Sequence, residues 1–385
     1  MFILIGLMFC YHWTRTLYDV LAASLVSLIW IFSPYIIGHG TLVSPDVPSA
    51  AFAVAAVYFF RKWLKRPEMF EAFTAGILLG LAELTKFTLL IFYPLFIVMW
   101  LLYQLPEIKT LTEKDWFQQS KQFAVMFAMS LLLINMGYLF EGTLTPLRNY
   151  RFQTMLFTGC KSLAEVPAGG ANRFDGTLLG YLPVPLPSNF IQGIDTQRLD
   201  FERGLPSYLR GEWSDHGWWH YYLYALLVKT PLGTIGLFLL AVFCTFFQKG
   251  YNASWRDEMV ILLPGITLLV FVSSQTGFSV HSRYIIPALP FFFIWISKVG
   301  KAFSLKRPVV ATLTSVLLAW SVLSSFMGLS AQFVLFQRTR RRVADTGRQK
   351  LSEADRVAEN IPAENQVDTQ CRTAERTASF ARQQY

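Results

Sequence analysis

Charge is the first thing this chain lacks. Only 15% of its 385 residues are Asp, Glu, Lys or Arg, and 53% are hydrophobic. A soluble domain carries nearer a quarter charged residues, so an ordinary water-soluble fold is excluded. Cysteine is scarce as well: the four present are scattered, with no CxxC and no His/Cys ligand spacing. Redox and zinc chemistry therefore have no support. No P-loop, G-x-G-x-x-G, G-x-S-x-G or H-E-x-x-H occurs, which leaves ATP-driven transport and serine or zinc peptidase chemistry without a motif. The opening stretch, MFILIGLMFCYHW, has no basic n-region and no A-x-A-like site. It is not a signal peptide and reads as a helix whose first half is missing.

What the chain has instead is long apolar runs, at about 1–12, 18–37, 47–64, 70–103, 122–140, 219–247, 259–273, 284–297 and 308–328. Runs of this length cross a bilayer as helix, because the backbone must satisfy its own hydrogen bonds in hydrocarbon. The fold class predicted is all-α: a polytopic transmembrane helix bundle. The run 70–103 is too long for one span. As a single helix it would measure about 50 Å against a core of about 30 Å, and it carries Glu83 and Lys86 midway. Two helices with a turn near LTKFT fit better and bring the total to about ten membrane segments. With that count, RKWLKR (61–66), the segment with Lys109, Lys114 and Lys121, the segment with Lys249 and Arg256, and KVGKAFSLKR all fall inside, as the positive-inside rule requires. The net charge of +9 is then topological, and no nucleic-acid partner is expected.

One long loop, about 141–218, lies outside in this topology. Asp46, the Glu83–Lys86 turn and SVHSRY (279–284) lie on the same side. Ionisable residues gathered at helix ends on one face suggest a shared site. Asp46 follows Pro45 and opens a helix, where it either satisfies the helix dipole or serves as a carboxylate facing a metal, a base or a hydroxyl-bearing substrate. Lys86 either snorkels to the interface or holds a phosphate as a point charge. His281, Arg283 and Tyr284 precede a proline-containing helix, where an Arg beside a His and a Tyr can clamp a phosphate. The aromatics of GEWSDHGWWHYY (211–222) form an interfacial belt or, as a minor alternative, stack on sugar.

Four stretches in order carry a resemblance: SPYIIGHGTLVSPDVPSAAFAVAAVYFFRKWLKRP, GILLGLAELTKFTLLIFYP, GWWHYYLYALLVKTPLGTIGL and HSRYIIPALPFFF. Together they resemble the bacterial protein O-mannosyltransferase and aminoarabinose-transferase group of GT-C glycosyltransferases, over roughly residues 1–328. The resemblance implies a membrane bundle with an extracytoplasmic active site in the cell (inner) membrane. It implies a sugar moved from a polyprenyl-phosphate donor to a protein or lipid acceptor. It matches Asp46 to the second acidic position, which is catalytic, and Lys86 and Arg283 to donor-phosphate contacts, with His281 and Tyr284 beside them. The family's first acidic motif, whose carboxylate would act as general base, follows a helix this chain does not show. An N-terminally truncated member, of doubtful activity, is expected. Metal need is left open by the motifs. A lipid-linked sugar flippase is the alternative, although no internal repeat is visible.

The segment 329–385 is polar, and RTRRR (338–342) falls on the outside in this topology. The nucleotide string encoding AQFVLFQRTRRR can, shifted by one base, encode a PSLSYFNELAGG-like segment. A frameshift near 328–331 and a disordered tail are expected.

Overall fold

The computed structural model describes residues 1–107, 112–279 and 281–327. The chain divides into Met1–Phe326 and Met327–Tyr385. Apart from Met327, the second unit lies outside the described residues, and with it RTRRR and the expected frameshift.

The first unit opens with α1 (Phe2–Leu17), α2 (Val20–Ile31), α3 (Pro34–Gly40), α4 (Asp46–Lys65), α5 (Met69–Thr85), α6 (Phe92–Gln104) and α7 (Glu113–Gly137). An extramembrane segment follows, with α8 (Met155–Thr158), α9 (Ser188–Arg203) and a small antiparallel hairpin of β1 (Ser207–Leu209) and β2 (Glu212–Ser214). The bundle resumes with α10 (Tyr221–Lys229), α11 (Leu232–Phe247), α12 (Trp255–Ser274), α13 (Leu289–Ile296) and α14 (Lys301–Ser304). It closes with α15 (Pro308–Met327).

Local chemistry sets the boundaries. Asp19 caps α2 by accepting from the Ala22 amide at 2.7 Å. Thr112 and Asp115 form a reciprocal capping box at the start of α7, which satisfies donors that the helix itself leaves orphaned. Prolines at 34 and 231 interrupt the helical hydrogen-bond ladder. There α2 meets α3 at 53° and α10 meets α11 at 111°. The run 70–103 breaks at Lys86, whose backbone is extended (φ −162°, ψ 123°), and a 3-10 turn over Phe87–Ile91 leads into α6.

Five described helices are long and apolar enough to span a bilayer, or up to seven if each bent pair is one span. The ten segments expected from apolar runs include shorter helices. Helices α1 and α5 have 16 and 17 residues, close to the lower end of the spanning range of about 17–25. Helix α4 has 20 but carries Asp46, Arg61, Lys62 and Lys65 at its ends. The chain is an all-α polytopic membrane protein.

The core is aromatic. Phe60 of α4 stacks on Phe96 of α6 at 4.0 Å between centroids, and Trp63, Trp100 and Phe123 extend the layer. Helices α5 and α7 run parallel at very close range. A Cβ at Gly76 would collide with the Met126 carbonyl, and one at Gly80 would sit 2.9 Å from that of Ser130. This is a small-xxx-small contact, which lets helix backbones approach without side chains between them. Gly76→Val is expected to push α5 off α7 and to cost at least the 1–3 kcal/mol typical of overpacking. A thermal melt in detergent measures it; an unchanged melt would show that the contact tolerates a side chain.

One end of the bundle collects the basic segments. Arg61 Nε donates to Asp257 Oδ1 at 2.7 Å and Lys65 Nζ to Oδ2 at 3.0 Å. Next along α12, Glu258 accepts from Lys298 Nζ at 2.8 Å, and Lys301 Nζ contacts the Gly250 carbonyl. The segments 61–66 and 298–307, grouped by charge in the sequence, thus meet at one end. The other end of α4 begins with Asp46, about 22 Å away along the helix axis at 1.5 Å per residue.

Candidate functional site

Asp46 opens α4 behind Pro45 and is buried (2% exposed). The position favours a carboxylate, because the first-turn amides present partial positive charge. Lys86 comes from the break after α5, the one place in that run where the backbone leaves the helix. Its ammonium donates to Asp46 Oδ1 at 2.7 Å. The lysine side chain is 7% exposed and the aspartate 2%. Each group is the other's partner in the interior, where an unpaired charge would carry a large penalty.

A 3-10 stretch, Ser282–Ala288, crosses beside this pair. Tyr284 puts its ring 4.6 Å from Lys86 Nζ, and the Arg283 guanidinium lies 5.7 Å from the same ring. One aromatic face therefore joins two cations. Lys229, the last residue of α10, donates to Ser282 Oγ at 2.8 Å. From the other side, His39 at the end of α3 sets Nδ1 3.9 Å from Asp46 Oδ2. Neither of those two atoms has a hydrogen-bond partner among the described residues, nor does the nearby Ser44 Oγ. A cleft of about 420 Å³, lined by His39, Ser44, Pro45 and Val47 together with Met1, Phe2 and Ile3, opens there.

The electrostatics favour an anion. Lys86, Lys229 and Arg283 gather around Asp46, and Asp200 acts on Tyr284 as a second carboxylate, so positive charge is still in excess in the group. His281 sits at the edge of the group. Burial, and then the positive charges of Arg283 and Lys229, push its pKa below the usual histidine value, while Asp46 opposes them more weakly. The imidazole is therefore neutral at pH 7. A histidine whose folded pKa is depressed binds fewer protons folded than unfolded. Stability should then fall as pH drops below about 6.5, the unfolded histidine value. His281→Gln is expected to flatten that part of a stability-versus-pH profile, and an unaltered profile would show that His281 does not contribute.

The five residues singled out in the sequence fall as follows. Asp46, Lys86 and Tyr284 are in direct contact, Arg283 is one ring away, and His281 borders them. The ion pair between Asp46 and Lys86 is new, and so are His39, Lys229 and Ser282. His39 lies in GHGTLVSPD and Lys229 in LVKTPLG. A lone basic side chain ending an apolar run was the available signal for both, with Pro231 two residues beyond Lys229. Glu83 does not join the group; it is buried, with neither carboxylate oxygen partnered among the described residues. Among the described residues no three His, Cys, Asp or Glu side chains gather to hold a metal. The site offers Asp46 and His39 as its potential ligands.

Fold and site together define a multi-pass membrane protein with a buried, cation-rich polar centre at one end of its helices. Residues 1–143 match the family described as dolichyl-phosphate-mannose-protein mannosyltransferase, and this part of the chain, which holds Asp46 and Lys86, is PMT-like. No curated protein and no solved structure matches the chain.

Proposed function

We propose that the protein is a membrane glycosyltransferase of the GT-C type. It takes a sugar from a polyprenyl-phosphate carrier and passes it to an acceptor on the extracytoplasmic side of the cell membrane. The observation that carries this is the Asp46–Lys86 pair joined through Tyr284 to Arg283, inside the PMT-like region and the stretch HSRY. In such a transfer the acceptor hydroxyl attacks the anomeric carbon, the bond from that carbon to the phosphate oxygen breaks with its electron pair going to that oxygen, negative charge grows on the departing phosphate, and the hydroxyl's proton ends on the released phosphate. Pre-placed cations in a water-poor site stabilise that charge without reorganising.

Each residue then has a distinct task. Arg283 clamps the phosphate with its planar fork of donors, and Lys86 adds a point charge held in place by Asp46. Lys229 and Ser282 extend the donor surface, and neutral His281 accepts or donates a hydrogen bond at the rim. Asp46 fixes the position of Lys86 and turns its second oxygen toward a hydroxyl entering from the cleft at His39. With Oδ1 engaged by Lys86, Asp46 serves to orient that hydroxyl. The protein or lipid acceptor supplies that hydroxyl.

Arg283→Ala is expected to weaken donor binding by the about 2–5 kcal/mol lost when one member of a desolvated charge pair is removed. Arg283→Lys should recover only part of this, because an ammonium cannot make the bidentate contact. Sugar transfer from a synthetic polyprenyl-phosphate donor in reconstituted vesicles measures both. Equal donor Michaelis constants for wild type and Arg283→Ala would remove the phosphate role.

A further inference from the structure

Of the five non-glycine residues with positive φ among those described, three lie in one six-residue turn: Leu139 (52°), Phe140 (58°) and Leu144 (64°). Bulky side chains rarely adopt this left-handed conformation, and it persists only where the surroundings impose it. The turn does not use it to bury anything. Leu139 is 87% exposed, Leu144 59% and Phe140 51%. Backbone bonds from Leu144 N to Val184 O (2.9 Å) and from Leu147 N to Leu182 O (3.1 Å) fasten the turn to the segment 178–184. That segment presents Leu178, 89% exposed, and Leu182, 55%. Two chain segments are thus tied together and aim leucines outward.

We propose that this paired turn is an interfacial wedge that sits in the lipid of the leaflet at the site end of the bundle. Its position carries the argument. The turn begins two residues after α7, which is apolar and long enough to span. On that helix Leu132 and Met136 are exposed, four residues apart, and the exposed Leu139 and Phe140 follow within four residues of Met136. The exposed apolar surface at the end of α7 is therefore continued along the chain by the wedge, within reach of the same lipid. Helix α7 ends at the site end, because Gly137 packs against Leu84, two residues before Lys86. At the rim of the wedge the Arg148 guanidinium lies 4.2 Å from the Tyr181 ring centroid. An Arg stacked on a Tyr suits the headgroup layer, where one binds phosphate and the other prefers the boundary. In water, leucines held outward by a strained backbone would be unfavourable on both counts. In lipid the burial offsets the strain. The wedge would hold the extramembrane segment 138–218 against the bilayer beside the polar centre. The inference stands independently of the enzymatic assignment.

The test places a fluorescent label on the wedge. Leu178→Cys and, separately, Leu139→Cys are made in a full chain carrying Cys160→Ser and Cys371→Ser. Cys10 and Cys244 are buried and stay unlabelled. Each variant is labelled with an environment-sensitive probe and reconstituted in phosphatidylcholine vesicles containing lipid doxyl-labelled at acyl carbon five. Wild-type protein with Cys371→Ser, labelled at the half-exposed Cys160 in the same segment, is the reference. Quenching at 178 and 139 is expected to exceed that at 160 several-fold, with a blue-shifted emission. Quenching no stronger than at Cys160 would overturn the proposal. So would self-quenching that rises with protein-to-lipid ratio while doxyl lipid has no effect, since a second copy would then cover this face. Both positions are strongly exposed, so neither substitution removes packing.

Discussion

Lys86→Met is expected to destabilise the bundle by about 3–5 kcal/mol, the usual cost of leaving one member of a buried ion pair uncompensated, and to weaken donor binding by about 30-fold or more. Asp46, 2% exposed and 2.7 Å from the Lys86 ammonium, would be left as a buried charge in a low dielectric. The double variant Asp46→Asn with Lys86→Met removes both charges at nearly constant volume. Neutral replacements of buried pairs are often no less stable than the pair itself. The double variant should therefore regain most of the lost thermal stability and none of the donor binding. That split separates a group kept for packing from one kept for its charge. A double variant as unstable as Lys86→Met would place the instability elsewhere than in the unpaired carboxylate.

At the opposite end, Asp257→Ala is expected to cost a comparable 3–5 kcal/mol without a direct effect on the polar centre. Asp257 accepts from Arg61 at 2.7 Å and from Lys65 at 3.0 Å, and it receives the Ser254 hydroxyl at 2.8 Å. Arg61 is only 4% exposed, so its guanidinium would lose its partner in the interior. Glu71→Ala provides the contrast. Its partner Lys62 has a side chain 39% exposed, and pairs open to solvent contribute about 0–1 kcal/mol. Thermal melts of the two variants in the same detergent measure the difference. Equal shifts would mean that the Asp257 cluster is no more important than a surface pair.

How far the sequence reveals these features depends on whether the signal is local. The break in 70–103 was readable because Glu83 and Lys86 sit in the middle of an apolar run, and a charge in hydrocarbon has to reach an edge or a partner. The partner was not readable. Asp46 and Lys86 are 40 residues apart, and no periodicity encodes which helix ends meet. The grouping of RKWLKR with KVGKAFSLKR followed from charge asymmetry alone. Their neutralisation by Asp257 and Glu258 did not, because two acids at the start of α12 look like ordinary first-turn residues. The ends of the membrane helices are hard to read for a related reason. Apolar runs in α1 and α5 continue the pattern of a membrane helix but stop at 16 and 17 residues, and length is set by breaks that only the packed chain shows. The strained turn at Leu139, Phe140 and Leu144 has no sequence signature, since none of the three is a residue that favours a left-handed backbone.

The most direct measurement is saturable binding of a labelled polyprenyl-phosphate sugar to the purified protein in nanodiscs, for wild type, Lys86→Met and Arg283→Ala. If the cation-rich centre holds the donor phosphate, each variant should bind about 30-fold to several thousand-fold more weakly, the range equivalent to 2–5 kcal/mol. Wild-type affinity in both variants, with both proteins folded, would contradict the assignment of this centre to the donor.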